Sequence, residues 1–177
     1  MEEVILVNEA DYQVGTMEKL KAHQEGVLHR AFSVFIFNSK GELLLQQRAL
    51  DKYHSAGLWS NTCCSHPRPG EDSLEAAKRR LMEEMGINTE LDFSYKFIYK
   101  RAFDNGLIEH EYDHIFVGLS DELPTINTAE VASYKYMSPM DIRKHMYLNT
   151  AEYTYWFLIS FDHLMSNLTR MPKYKAS

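Results

Sequence analysis

The chain has 177 residues, 45% hydrophobic and 25% charged, an ordinary globular composition with enough chain for one well-packed domain. Its formal net charge of -6 argues against a general affinity for nucleic acid or an anionic membrane, so an anion must be caught by a local cluster of Lys and Arg and the expected partner is a small molecule. No stretch approaches the roughly 20 apolar residues of a membrane span. The opening MEEVILVNEADY is acidic where a targeting peptide is basic, and the two cysteines are neighbours, a spacing that rarely suits a structural disulfide, so a cytoplasmic protein is expected.

In chain order, Ala31 to Phe37 and Leu43 to Arg48 are β-rich runs around the turn signal NSKG, and Leu58 to His66 reads as a third extended segment. Ser73 to Met85 follows as a helix, with Leu74, Ala77, Leu81 and Met85 in one apolar stripe and Gly86 as its stop. Phe93 to Phe103 and Leu107 to Leu119 flank Asp104-Asn105-Gly106, a hairpin signal, and Tyr134 to Met137 suits a further short strand. Pro139 to Asn167 reads as mostly helical. With no internal repeat or linker, the expectation is a single α+β domain over residues 1–177, its core spanning about 30–167.

Two stretches carry chemistry. In Trp59 to Pro67, Cys64 and His66 lie two residues apart and share a strand face, while Cys63 points the other way as a small buried hydrophobe. Periodicity leaves Cys64 evenly balanced between a buried hydrophobe and a functional thiol, and favours a structural His66. In Glu109-His110-Glu111-Tyr112-Asp113-His114, Glu109 and Glu111 share a face. A three-residue hairpin loop with Gly106 left-handed would set Tyr99 opposite Glu111 and Arg101 opposite Glu109. Two carboxylates on one face are costly to bring together without a cation between them, which favours a metal over a solvated face. His23 and His29 are weak signals singly, but with His66, Glu109 and Glu111 they complete a nitrogen-and-oxygen set for a divalent ion. His54, His110, His114, His145 and His163 read as structural or surface residues. Arg80 and Glu84, four apart on the helix, read from spacing as a surface ion pair worth about 0.3 to 0.5 kcal/mol. Lys19, Arg48 and Lys52 are unremarkable singly, though a diphosphate needs several such donors converging.

Over about Leu6 to Trp156 these residues closely resemble the type I isopentenyl-diphosphate isomerases, which use no flavin. The thiol motif Trp59 to Pro67, the paired-glutamate motif Glu109-His110-Glu111, and an N-terminal block of Glu18 to His23 followed by His29 to Phe32 occur in the family's order. The resemblance implies that Cys64 is the catalytic thiol, that Glu111 with Tyr99 is the acid-base group across the pocket, and that Trp156 is an aromatic wall. It implies that His23, His29, His66, Glu109 and Glu111 ligate one divalent metal, for which Mn2+, Zn2+ and Mg2+ all suit such donors. It also implies that a Mg2+ near Glu84 bridges to the substrate diphosphate, with Lys19, Arg48, Lys52 and Arg80 as diphosphate-binding positions. The same region is similar to the wider Nudix fold, a mixed sheet flanked by helices. Glu71, Arg79, Glu83, Glu84 and Gly86 fit the Nudix box, but Ser65 stands at its first glycine and Arg80 replaces the glutamate after Arg79.

The implied reaction moves the double bond of isopentenyl diphosphate to give dimethylallyl diphosphate, a step of isoprenoid biosynthesis. It protonates an unactivated alkene and removes a proton from the adjacent carbon through a tertiary carbocation, which needs water excluded and proton-transfer groups on opposite faces. Cys64 and Glu111 suit that, and the π face of Trp156 can stabilise the cation by about 2 kcal/mol or more. A Nudix-type diphosphate hydrolase would leave Cys64 idle and would miss the carboxylate that Arg80 replaces. A non-catalytic metal module would need more cysteines than two, one of which faces away.

Overall fold

The computed structural model describes residues 2–52 and 54–174. It begins with an antiparallel hairpin, β1 (Glu3–Val7) and β2 (Gln13–Glu18), followed by a short helix, α1 (Lys19–Glu25). None of these three stands out in the sequence. A seven-residue helix that buries only Ala22 and His23 is too short for an amphipathic signature, and is held instead by Glu18, whose carboxylate accepts from the Leu20 and Lys21 amides. It ends at Gly26, where φ is 64° and a Cβ would come within 3.0 Å of Ile108. Only glycine satisfies both the left-handed turn and the close approach.

The next strands are β3 (His29–Phe37) and β4 (Leu43–Arg48). The extended segment expected over Leu58 to His66 is two short strands, β5 (Trp59–Ser60) and β6 (Cys63–Ser65). It breaks because Asn61 and Thr62 turn inward to satisfy buried backbone. The Asn61 amide donates to the carbonyls of Val34 and Cys63, and the Thr62 hydroxyl donates to Leu44 O and accepts from the Ile36 amide. Helix α2 (Ser73–Met85) has its expected bounds, with Asp72 as cap and Gly86 as left-handed stop.

Strands β7 (Leu91–Ala102) and β8 (Ile108–Leu119) form the expected hairpin. Phe103 and Leu107 close it around three residues, Gly106 has a φ of 81°, and the ladder pairs Tyr99 with Glu111 and Arg101 with Glu109. Strand β9 (Val131–Met137), α3 (Pro139–Leu148), a 3-10 turn (Thr150–Glu152) and α4 (Tyr155–Leu168) complete the main elements.

β3 is the hub of the mixed sheet. It runs parallel to β8, from the His29 and Glu111 pair to the Phe37 and Leu119 pair, and antiparallel to β6, where Ser33 stands opposite Cys64. Its side chains alternate between two cores. Phe32, Val34 and Ile36 pack with Ala77, Leu81 and Met85 of α2, while Phe35 and Phe37 pack with Phe157 and Phe161 of α4. Each buried side chain of this size contributes about 1.5–3 kcal/mol. Toward the His29 end of the α4 face, Ala31 and Ser33 replace the phenylalanines, and a pocket opens there. Among the described residues no helix is long and apolar enough to cross a membrane.

Candidate active site

The imidazoles of His23, His29 and His66 and the carboxylate of Glu111 converge, with one donor atom from each lying within 4.8 Å of the others. Four elements supply them: α1, the start of β3, the residue after β6, and β8. His23 Nδ1 is bonded to Lys19 O and His29 Nδ1 to Val27 O, both at 2.8 Å, so each ring presents Nε2 inward. Those nitrogens lie 3.9 and 3.7 Å from Glu111 Oε1, and His66 Nε2 lies 3.1 Å from the same oxygen. His29 Nε2 is buried and has no hydrogen-bond partner among the described residues. Burial lowers the pKa of His23, and that of His66 to about 3, which keeps these rings neutral. Three imidazole nitrogens and a carboxylate turned toward one point, with two of the rings oriented through their Nδ1 bonds, fit a divalent cation.

Glu109 faces the same pocket beside this compact quartet. Its carboxylate is held by Tyr99, whose hydroxyl donates to Glu109 Oε2 at 3.2 Å and to Glu111 Oε2 at 2.7 Å. Burial and the Glu111 charge push Glu109 well above the ordinary carboxylate range. Burial alone would raise Glu111 as well, but the imidazoles of His29 and His66 hold it well below that range. The two carboxylates are thereby pushed in opposite directions. Tyr99 is raised well above its usual value by burial and the two carboxylates, so it stays a donor.

Cys64 lines the pocket, and burial, with nearby Glu84 and Glu111, pushes its thiol up to about 12 against the opposing pull of Arg48. It is therefore a protonated thiol at neutral pH. Cys63 points to the α2 side as expected, where burial, with the nearby Glu84 charge, pushes its thiol well above the usual value. Trp156 is fixed by its Nε1 donating to Ser60 Oγ at 2.9 Å, and the Arg48 guanidinium lies 5.1 Å from its ring centroid.

Lys19, Arg48, Lys52 and Arg80 all line this pocket. The Arg80 and Glu84 pair departs from its surface reading, since Glu84 is 4% exposed. Arg80 donates to Glu84 Oε1 at 2.6 Å and the buried Gln46 amide donates to Oε2 at 2.9 Å. On the solvent side Arg79 reaches Glu71 and Glu83, and Arg80 also donates to Glu83 at 2.8 Å. Three further pocket residues, Gln46, His54 and Glu130, have no sequence signal. They lie in strands or loops without a motif of their own, and only tertiary convergence joins them to the site. His54, expected to be structural or exposed, is half-buried and edge-on to Trp156 with ring centroids 6.0 Å apart, and its Nδ1 lies 3.7 Å from Glu109.

A NUDIX domain model matches residues 27–157. The chain is 52% identical over 162 residues to an isopentenyl-diphosphate Delta-isomerase of Pectobacterium atrosepticum, covering 92% of this chain and 90% of that one. It is 49% identical to the protein of that name from Serratia proteamaculans, covering 99% of both. Among solved structures, DR0079 of Deinococcus radiodurans superposes with a TM-score of 0.70 at 19% identity, covering 83% of this chain and 90% of that one, which bears on the fold alone. With a NUDIX domain over most of its length and about half its residues shared with such relatives, the chain belongs to the isopentenyl-diphosphate Delta-isomerase family.

Proposed function

We propose that this enzyme interconverts isopentenyl and dimethylallyl diphosphate, using Cys64 and Glu111 as its two proton-transfer groups. The observation that carries this reading is their placement on either side of β3. Cys64 stands on β6 opposite Ser33 and Glu111 on β8 opposite His29, four residues and thus roughly 13 Å apart along the hub strand, with both side chains lining one pocket. A five-carbon chain lying between them meets a thiol on one side and a carboxylate on the other. In one direction a proton is added to the terminal methylene carbon, leaving a tertiary cation, and a proton is lost from the carbon next to the diphosphate-bearing one. Reversal exchanges the donor and acceptor.

The protonated Cys64 can give a proton, and the ionised Glu111, aligned by Tyr99, can take one. Trp156 offers its ring to the cation between them. Lys19, Arg48, Lys52 and Arg80 would bind the diphosphate, leaving the hydrocarbon in the dry part of the pocket. His23, His29, His66 and Glu111 would hold one divalent ion, Mn2+, Zn2+ or Mg2+, with Glu109 beside them, and Glu84 would face the Mg2+ that accompanies the diphosphate. Such cations neutralise charge and orient carboxylate and diphosphate oxygens. Two free thiols suit a reducing compartment, and we take the enzyme to be cytoplasmic.

Incubation with isopentenyl diphosphate and Mg2+ in deuterated water tests the reading. The expected product is dimethylallyl diphosphate carrying solvent deuterium. Phosphate release without deuterium in the hydrocarbon would favour a hydrolase instead.

A further inference from the structure

We propose that Glu130 is a positioning residue whose carboxylate holds Lys52 and Arg80 in place before the diphosphate arrives. This rests on the reading that Lys52 and Arg80 bind the diphosphate. Glu130 directly precedes β9, Lys52 lies in the loop between β4 and β5, and Arg80 is on α2, so three separate parts of the chain meet at one carboxylate. Its Oε2 pairs with Lys52 Nζ and lies 3.3 Å from Arg80 Nη2. The same Arg80 nitrogen donates to Glu84 at 2.6 Å, so a continuous line of alternating charge runs Lys52, Glu130, Arg80, Glu84 along the pocket.

Glu130 is itself pinned. Its amide donates to Asn127 O at 2.9 Å, and its carbonyl accepts from the amide of Ala49, the residue that opens the loop carrying Lys52. One residue thus fixes that loop through its backbone and the lysine through its side chain. A lysine on a loop otherwise has a long flexible stem to order when an anion binds. Two cations converging on a single point would also repel each other without an anion between them.

Two effects of Glu130 oppose each other. Its negative charge repels an incoming diphosphate, and its grip places the cations. The repulsion acts across the longer distance to the diphosphate, whereas the pairing with Lys52 and Arg80 acts at contact. Placement wins, and removing the charge weakens binding. Burial would raise the Glu130 pKa, but Lys52 and Arg80 hold it below the usual range, so it is ionised throughout the neutral region.

The test combines steady-state kinetics with calorimetric titration of inorganic pyrophosphate, using the full chain as Glu130→Gln, Lys52→Ala and the double variant. Glu130→Gln should raise KM and the pyrophosphate Kd by about tenfold, with kcat changing less than about threefold. In the Lys52→Ala background the same change should cost clearly less than tenfold, because only Arg80 is left for Glu130 to position. Glu130→Asp, which keeps the charge on a shorter arm, should fall between wild type and Glu130→Gln, and it carries the test if the glutamine variant folds poorly. Unchanged or tighter pyrophosphate binding in Glu130→Gln would overturn the proposal, leaving Glu130 a mere shield, and so would fully additive losses in the double variant. If Lys52→Ala itself left pyrophosphate binding intact, the diphosphate assignment would fall, and this proposal with it.

Discussion

The Tyr99 hydroxyl sits 2.7 Å from Glu111 Oε2, while the other oxygen of that carboxylate faces three imidazoles. Glu111 is therefore gripped from two sides, and its orientation does not depend on substrate. Glu111→Gln should lower kcat by about a thousandfold or more while the pyrophosphate Kd changes less than about threefold, since the diphosphate is held elsewhere. Tyr99→Phe keeps the ring and loses only the aligning donor, so a smaller loss of about ten- to a hundredfold in kcat is expected. Near-normal turnover by Glu111→Gln would move the acid-base role to another residue.

The two cysteines should behave differently. Cys64→Ala is expected to abolish isomerisation and Cys63→Ala to retain most of it, because Cys63 is buried in the core on the α2 side while Cys64 lines the pocket. Comparable losses in kcat from both variants would break the assignment.

Alkylation provides the pH dependence. The thiolate is the reactive form, and the Cys64 pKa is raised to about 12, so below that value each unit of pH increases the thiolate fraction about tenfold. In metal-free protein the rate of Cys64 modification by iodoacetamide should thus keep climbing from pH 8 to 11. Levelling off near pH 9, the behaviour of an ordinary thiol, would show that the pocket does not bury it.

Removing the metal should reveal what the quartet contributes to stability. Binding to the folded state alone stabilises by mass action, so chelation should lower the thermal midpoint, and His29→Ala should abolish that chelator-sensitive increment and the bound metal together. Gly26→Ala should weaken metal retention without touching a ligand, because the new Cβ meets Ile108 at 3.0 Å and displaces the end of α1 that carries His23. Metal content by elemental analysis, alongside melting curves, checks both variants.

Where the sequence was legible, local chemistry was decisive. Strand β4 and helix α2 have the bounds that their patterns indicate, and Asp104-Asn105-Gly106 sets the register that puts Tyr99 opposite Glu111. Alternation along a strand separates Cys64 from Cys63 but leaves Cys64 evenly balanced between hydrophobe and thiol, and its role comes from the family resemblance. Tertiary contacts were not legible. Arg80 and Glu84 have the spacing of any surface pair, and only the burial of Glu84 under β4 and β6 makes them part of the pocket. Gln46, His54 and Glu130 have no motif of their own. Helix α1 is too short to announce itself, although it brings His23 to the metal site.

The Ser33 hydroxyl donates to Asp113 at 2.9 Å from 80 residues away, and this bond belongs to the parallel ladder on which the whole pocket rests. Parallel pairing of such distant segments must meet the entropy of closing a long loop before its contacts reward it, which makes it a slow, late event in folding. A chain emerging from the ribosome displays its histidines long before the carboxylate on β8 exists. The full quartet exists only once β3 and β8 have paired, so four-ligand metal binding is tied to closure of the sheet.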